Sequence, residues 1–203
     1  MEEFLNEAEV RVLGALIEKE ITTPDYYPLS LNALMAACNQ SSNRHPVVHY
    51  TEAIVGNAAD GLREKKLVRL VDRGESRVVK YRHVLYETLQ MTRPSIAVLC
   101  LLMLRGPQTV GEIRTRSTRL YDFSSIEEVE TVMNSLMTGD KPLVVQLARQ
   151  PGQKEVRYAH LLAGEVQMTE EPEPAQELDR ISKLEQEIEE LKRQFAEFRK
   201  QFE

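Results

Sequence analysis

Two short stretches, KYRHVL at Lys80–Leu85 and RYAHLL at Arg157–Leu162, decide how this chain is organised. Three positions match between them, and the members of each pair lie 77 residues apart: Tyr81 and Tyr158, His83 and His160, Leu85 and Leu162. Self-similarity at a fixed spacing indicates that one structural unit occurs twice. The same order of elements is therefore expected before each stretch.

The first copy begins with helical patterns. Asn6, with Glu9 three residues further on, is a capping-box signal for an amphipathic helix that ends near Glu20. A second helix is predicted over Leu31–Cys38. A third is predicted over Thr51–Lys66, where apolar residues recur at every fourth position and form one stripe.

The second copy repeats this order. A nearly all-apolar helix is predicted after Pro94 and ends at Arg105, where Gly106 and Pro107 stop it. Two capping pairs then predict two more helices, the second of which runs to Thr138: Thr109 with Glu112, and Ser125 with Glu128.

Each copy ends in a predicted β-hairpin. Leu67–Asp72 and Val78–Arg82 form the first, and Leu143–Ala148 and Glu155–Ala159 form the second, each pair flanking a turn that contains glycine. Three helices and a terminal hairpin are the winged-helix plan, in which the hairpin is the wing and the third helix enters a major groove. The predicted fold is mainly α with small β-hairpins, arranged as two tandem winged-helix domains.

Charge is distributed unevenly along the 203 residues, whose formal net charge is -6. Residues 1–90, the first predicted domain, carry 11 basic against 13 acidic side chains, and residues 91–166, the second, carry 9 against 8. Residues 167–203 carry 6 against 11. The acidity therefore belongs mostly to the tail, and the nearly neutral domains neither favour nor exclude a nucleic-acid partner.

The tail is predicted to be an acidic linker over residues 167–177 followed by a coiled-coil helix over residues 178–203. Seven apolar residues, spaced alternately by three and four, form its heptad seam: Ile181, Leu184, Ile188, Leu191, Phe195, Phe198 and Phe202. Flanking charges suit pairing of parallel chains, so self-association is expected. The alternative is an amphipathic helix that folds back on its own domains.

The longest apolar run, Ile96–Leu104, is too short to span a bilayer, and the first ten residues are acidic where a signal peptide would be basic. A cytoplasmic protein without a membrane partner is expected. Cys38 and Cys100 each lie in an apolar helical stretch, which predicts two buried, reduced thiols.

Four long motifs resemble the YceH-like family of proteobacterial proteins, whose function is uncharacterised. They are LNEAEVRVLGALIEKE, ACNQSSNRHPVV, GLREKKLV and VGEIRTRSTRLYDF, and the resemblance covers residues 5 to about 165. It implies two winged-helix domains in tandem and no established biochemical activity.

The loop between the second and third helices, residues 39–46, is longer than a helix-turn-helix requires and is rich in side-chain donors. Asn43 and Arg44 are the first candidates for contact with phosphate or a carboxylate. The alternative is that the loop's Asn and Ser side chains cap helix ends and pair with local backbone.

The first hairpin and its approach carry a row of cations that could follow a phosphate backbone: Arg63, Arg69, Arg73, Arg77, Lys80 and Arg82. Solvated charges on an exposed hairpin are the alternative. Val78 and Val79 are expected to pack inward or along the sheet. Arg63 lies at the C-terminal end of the third helix, whereas base readout usually uses the N-terminal half.

The second domain has a compact basic cluster, Arg114, Arg116 and Arg119, which is either a contact site or a helix end whose cations complement the dipole. Its third helix opens with three carboxylates that would repel phosphates: Glu127, Glu128 and Glu130. This copy is therefore predicted to bind protein or to dimerise.

No cofactor, metal site or enzymatic activity is predicted. Cys38, His45 and His49 lack a fourth zinc ligand at suitable spacing, and neither a phosphate-binding glycine loop nor a nucleophile elbow is present. His83 and His160 are expected to have a structural role common to both copies. The leading expectation is a dimeric regulator that binds duplex DNA, and the alternative is a protein adaptor that touches no nucleic acid.

Overall fold

The computed structural model describes residues 4–71, 78–149 and 153–165, together with Lys192. Most of the regular structure is helical, with short antiparallel strand pairs, which confirms the predicted class of mainly α with small β-hairpins. The predicted linker and coiled coil belong to a separate unit, Gln167–Glu203, which lies outside the described residues except for Lys192.

The first repeat contains four α-helices, a single 3-10 turn and three strands within the described residues. In chain order these are α1 Glu7–Thr22, the 3-10 turn Pro24–Tyr26, β1 Leu29–Ser30, α2 Leu31–Cys38, α3 Glu52–Glu64, β2 Val68–Val71, β3 Lys80–His83 and α4 Leu85–Leu89. The predicted helices and the hairpin are present. The 3-10 turn, β1 and α4 are additions that the sequence patterns did not predict.

The second repeat follows the same order within the described residues. It contains α5 Arg93–Arg105, α6 Val110–Ser117, α7 Ile126–Met137, β4 Val144–Gln146 and β5 Tyr158–His160. The strands are shorter than predicted and β5 extends one residue further, to His160.

Helix starts are set by the predicted caps. The Asn6 side chain accepts a hydrogen bond from the Glu9 amide at 2.9 Å, and the Glu9 carboxylate accepts one from the Asn6 amide at 2.8 Å. Thr109 and Glu112 form the same reciprocal pair at the start of α6. Each pair satisfies two amides that a helix end would otherwise leave without partners.

The matched residues of the repeat occupy equivalent positions in the sheets. Tyr81 in β3 pairs with Leu29 of β1, and Tyr158 in β5 forms a bridge with Gln108, so a third chain segment borders the hairpin in both copies. His83 and His160 likewise end the last strand of their copies. The residues that match between the two stretches therefore hold the same places in the strand pairing of the two repeats.

The two repeats pack through their first helices. Residues Met1–Val166 form one compact unit, and a continuous apolar core includes Leu13 and Leu16 of α1 together with Leu99 and Leu102 of α5. Gly14 lies at this junction, where the Sγ of Cys100 is 3.5 Å from its carbonyl oxygen. The absence of a side chain there lets the two helices approach closely.

We expect Gly14→Ala to lower stability because an added Cβ would lie 2.9 Å from Cδ2 of Leu104 and 3.2 Å from Cβ of Met103. Gly56→Ala is the matched control, since its Cβ would meet only Leu31 Cδ2, at 3.9 Å, and alanine favours a helix. The free energies of unfolding of the two variants should differ by about 1 to 3 kcal/mol. Equal values in urea titrations would show that the α1–α5 junction tolerates a methyl group.

Among the described residues, no helix combines the length and the apolar character that crossing a bilayer requires.

Candidate functional site

Arg44, a first candidate for surface contact, is instead buried beneath its loop, with 6% of its surface exposed. Its guanidinium donates two hydrogen bonds to the Glu18 carboxylate, at 3.0 and 2.7 Å. It also donates to the carbonyls of Ala37 and Asn43 and to Oε1 of Gln40. Arg44 therefore holds the loop to α1 and is unavailable to an external phosphate, so the prediction of contact through Arg44 was wrong.

A second buried arginine supports the same loop from α1. Arg11 donates to the Cys38 carbonyl at 3.2 Å and to the Pro46 carbonyl at 2.6 Å. Burial, and then the neighbouring charge of Arg44, lower the pKa of Arg11. Burial alone would raise the pKa of Glu18, but hydrogen bonds and charge from Arg44 outweigh it and lower that pKa. Buried ionic contacts thus fix a long loop in one conformation.

Asn43 remains exposed and faces the second repeat. Its backbone is left-handed, with φ of 58°, and its Oδ1 accepts a hydrogen bond from Arg105 at the end of α5. The His45 amide donates to the Leu104 carbonyl at 2.8 Å. The loop therefore joins the two repeats beside Asn43.

A cleft of about 430 Å³ opens where the loop meets the second repeat. Four cationic side chains line it, from the ends of α1 and α5 and from the end of α6 with the turn after it: Lys19, Arg105, Arg116 and Arg119. We call it the basic cleft. Of the predicted contact residues, it unites Asn43, Arg116 and Arg119, although these were predicted as two separate sites in different copies.

The remaining member of the basic cluster faces elsewhere. Arg114 is exposed, donates to the Ser124 carbonyl at 3.1 Å, and does not line the basic cleft. Lys19 and Arg105 were missed because each lies near the end of a helix, where a single cation is the ordinary complement to the dipole. Nothing in the sequence places these two ends side by side.

The hydrogen bonds of the basic cleft orient its arginines. Arg116 donates to Oε1 of Gln108 and pairs with Glu112 at 3.2 Å. Burial lowers the pKa of Arg105, and the positive charge of Arg116 lowers it further, whereas the negative charge of Glu18 raises it. The cleft is therefore a place where like charges accumulate.

The first hairpin presents its cations as an opposed pair. Arg69 of β2 lies directly opposite Arg82 of β3, and Arg82 pairs with Glu87. Arg63 pairs with Asp60 at 2.7 Å and lines a shallow groove with Arg69. Lys80 lies between Val71 and Ser30 in the sheet, and Arg73 and Arg77 lie outside the described residues.

Two hydrophobic residues near this hairpin, which were expected to pack inward or along the sheet, are exposed. Val78 is 54% exposed and Val79 is 47% exposed, so neither packs inward. Leu70 of β2 is also exposed. Val78 and Val79 directly precede β3, which begins at Lys80.

The acidic start of α7 is only partly solvent-facing. Glu128 accepts hydrogen bonds from Tyr121 Oη and from the amide and hydroxyl of Ser124, so it ties the preceding loop to α7, whose N-cap is Ser125. Glu127 and Glu130 are exposed. Two carboxylates therefore remain on the face that a groove-binding helix would use.

The repeat-equivalent histidines have different surroundings. Nε2 of His83 lies 2.7 Å from a carboxylate oxygen of Glu20, whereas Nδ1 of His160 is buried and has no hydrogen-bond partner among the described residues. Burial lowers the pKa of His160 to about 4. The two histidines therefore occupy equivalent strand-end positions but differ in their neighbours: His83 faces a carboxylate, and burial keeps the His160 ring neutral.

Cys38 and Cys100 are both buried free thiols, as predicted. Burial raises the pKa of Cys38 to about 12 and also raises that of Cys100, which suppresses thiolate formation. Within the described ranges, no three His, Cys, Asp or Glu side chains are grouped as metal ligands would be.

Comparisons with known proteins agree with the resemblance noted in the sequence. The family model described as "Protein of unknown function, DUF480" matches residues 5–153. A UPF0502 protein of Pelobacter propionicus is 51% identical, covering 98% of this chain and 95% of the relative. The UPF0502 protein of Geobacter sulfurreducens is 48% identical, and the alignment covers 100% of both chains. That of Aliivibrio fischeri is 43% identical, and the alignment covers 97% of this chain and 95% of the relative. The chain therefore belongs to the DUF480 family of proteins.

Proposed function

We propose that this protein is a non-enzymatic tandem winged-helix protein that binds duplex nucleic acid through the hairpin and third helix of its first repeat. The observation that carries the proposal is the opposed pair of arginines, Arg69 and Arg82. Like charges directly across a strand pair are unfavourable in isolation. A phosphate backbone laid along the hairpin would be attracted to both arginines, and Arg82 would share its charge between the phosphate and Glu87.

The neighbouring groups support this assignment. Arg63 from α3 and Arg69 from β2 line one groove, together with Asp60, which pairs with Arg63, and Glu64. The predicted wing cations Arg73 and Arg77 follow Arg69 in the sequence. The second repeat is a poorer candidate because α7 exposes Glu127 and Glu130 and contains no Lys or Arg, whereas α3 exposes Arg63 beside its own carboxylates.

We expect Arg69→Glu to weaken binding of a random duplex about tenfold at low salt, because one phosphate contact is lost and a repulsion is added. The slope of log K against log salt should also become shallower by about 1. Fluorescence anisotropy across a salt series measures both quantities. Arg149→Glu is the matched control, since Arg149 is an exposed arginine beside the second hairpin.

Equal losses in the two variants would remove the first hairpin from the nucleic-acid surface. Absence of binding by the unaltered protein, even at low salt, would exclude the proposal and leave the protein adaptor. That second function is favoured by the exposed apolar surface at Leu70, Val78 and Val79, which would suit a protein partner.

We also propose that the protein acts as a dimer through the heptad seam of residues 178–203. Leu184→Asp combined with Leu191→Asp places charges on the seam and should convert the dimer to a monomer in sedimentation velocity. A dimer that survives both substitutions would contradict pairing through the coil.

A further inference from the structure

We propose that the basic cleft is a binding site for a small phosphorylated anion of nucleotide or sugar-phosphate size. The site is separate from the hairpin surface described above, and its existence does not depend on nucleic-acid binding. Its ligand would contact α1, the loop after α2, α5 and the end of α6, and so would bridge the two repeats.

The charge balance of the cleft favours an anion. Its four cations face one lining carboxylate, Glu18, which accepts two hydrogen bonds from Arg44 behind it and also pairs with Lys19 at 3.1 Å, so positive charge remains in excess. The C-terminal ends of α1, α5 and α6 each contribute a partial charge of about -0.5, which is too little to cancel the four cations. Glu112 pairs with Arg116, but it shares its charge with Arg157 at 3.0 Å.

The donors of the cleft are held in place before a ligand arrives. Asn43 orients Arg105, Gln108 orients Arg116, and Gln40 accepts from Lys19 at 3.2 Å. The buried Arg44–Glu18 pair fixes the loop that forms one wall. Preorganised donors lose little conformational entropy when a ligand binds, which increases affinity.

Arg119 is the cation of the basic cleft whose hydrogen-bond donors are available to a ligand. It is exposed at the end of α6, and across the described residues it makes no hydrogen bond or ion pair. Arginine is well suited to phosphate because its planar fork donates two parallel hydrogen bonds. Hydroxyl groups of Ser42 and Thr118 line the same space and can add further contacts.

The size of the cleft favours a small molecule. Its volume of about 430 Å³ lies within the range of roughly 300–1,000 Å³ that is usual for small-molecule sites. Leu101, Leu104 and Leu120 form an apolar part of the wall, which could receive a base or sugar ring while the cations hold phosphate.

The proposal is tested with the full chain, inorganic pyrophosphate and ATP, both without divalent metal, by calorimetric titration and thermal denaturation. Sodium chloride at matched ionic strength is the reference. We expect saturable binding of at least one probe and a rise in Tm of about 5 to 10 °C at a hundred times Kd. Binding of ATP but not of pyrophosphate would support the proposal and indicate that the apolar wall contacts the base or the sugar ring.

Arg119→Glu should weaken that binding about tenfold or more. Arg114→Glu is its matched control, because it makes the same charge change at an exposed arginine five positions away on α6 and outside the cleft. The control should retain the affinity of the unaltered protein. Equal weakening in the two variants would indicate general surface electrostatics and would overturn the proposal, as would no saturable binding of either probe.

A competition experiment separates the small ligand from nucleic acid as the source of phosphate. Duplex DNA that displaces the bound probe, with Arg119→Glu weakening DNA binding as much as probe binding, would make the cleft part of the nucleic-acid surface and overturn a separate small-ligand site. Probe binding that is unaffected by saturating duplex supports the proposal.

Discussion

Replacing Arg44 with methionine is expected to lower the free energy of unfolding by about 3 to 5 kcal/mol. The substitution removes the principal partner of the Glu18 carboxylate, whose side chain is 12% exposed, and leaves it only the ion pair with Lys19 at 3.1 Å. It also removes donors from the Ala37 carbonyl and from Gln40. A buried charge that loses its partner retains the full cost of its desolvation, whereas an exposed one regains water.

The comparison that isolates this effect is Arg63→Met. Arg63 and Asp60 also form an ion pair at 2.7 Å, but their side chains are 42% and 60% exposed. An exposed pair contributes about 0.2 to 1 kcal/mol. Urea titration of both variants should therefore give unequal losses, and a loss below about 1 kcal/mol for Arg44→Met would contradict a structural role for the buried pair.

His160 is expected to make the folded state sensitive to acid. Its pKa is about 4 when folded and about 6.5 in an unfolded chain. Between these values the unfolded state binds a proton that the folded state excludes, so stability falls as pH decreases from about 6.5 towards 4. His160→Gln removes this titration and should reduce the loss between pH 7.5 and pH 5 by about 1 to 2 kcal/mol.

The measurement is the free energy of unfolding of each protein at both pH values, from urea titrations. His49→Gln is the control because His49 is exposed in the loop before α3, and its loss on acidification should equal that of the unaltered protein. If His160→Gln shows the same acid sensitivity as the unaltered protein, other groups cause it and the enclosed ring is not the origin.

Short-range patterns in the sequence were sufficient to predict most of the helices and both hairpins. The caps at Asn6 and Thr109 and the periodicity of α3 depend on neighbours three or four residues away, so a single chain contains all the information they need. β1 was missed because a strand of two residues, Leu29–Ser30, has no periodicity of its own. Only its pairing with Tyr81 defines it.

The site was predictable only in part. Asn43, Arg116 and Arg119 were identified because polar loops and clustered cations are visible in a sequence. The same reasoning selected Arg44, since composition cannot distinguish an arginine that faces solvent from one that is folded under its loop. Glu18, its partner, is 26 positions away, and no short-range pattern connects the two.

The sequence by itself determined that one unit occurs twice, because matched strands impose matched residues at Tyr81 and Tyr158 and at His83 and His160. Only the tertiary structure decided how the two repeats pack against each other. Packing of α1 against α5 at Gly14 brings helix ends from both copies together, and their separate cations become one basic cleft. Contacts between distant segments depend on how apolar faces are buried, and this arrangement is a property of the folded chain.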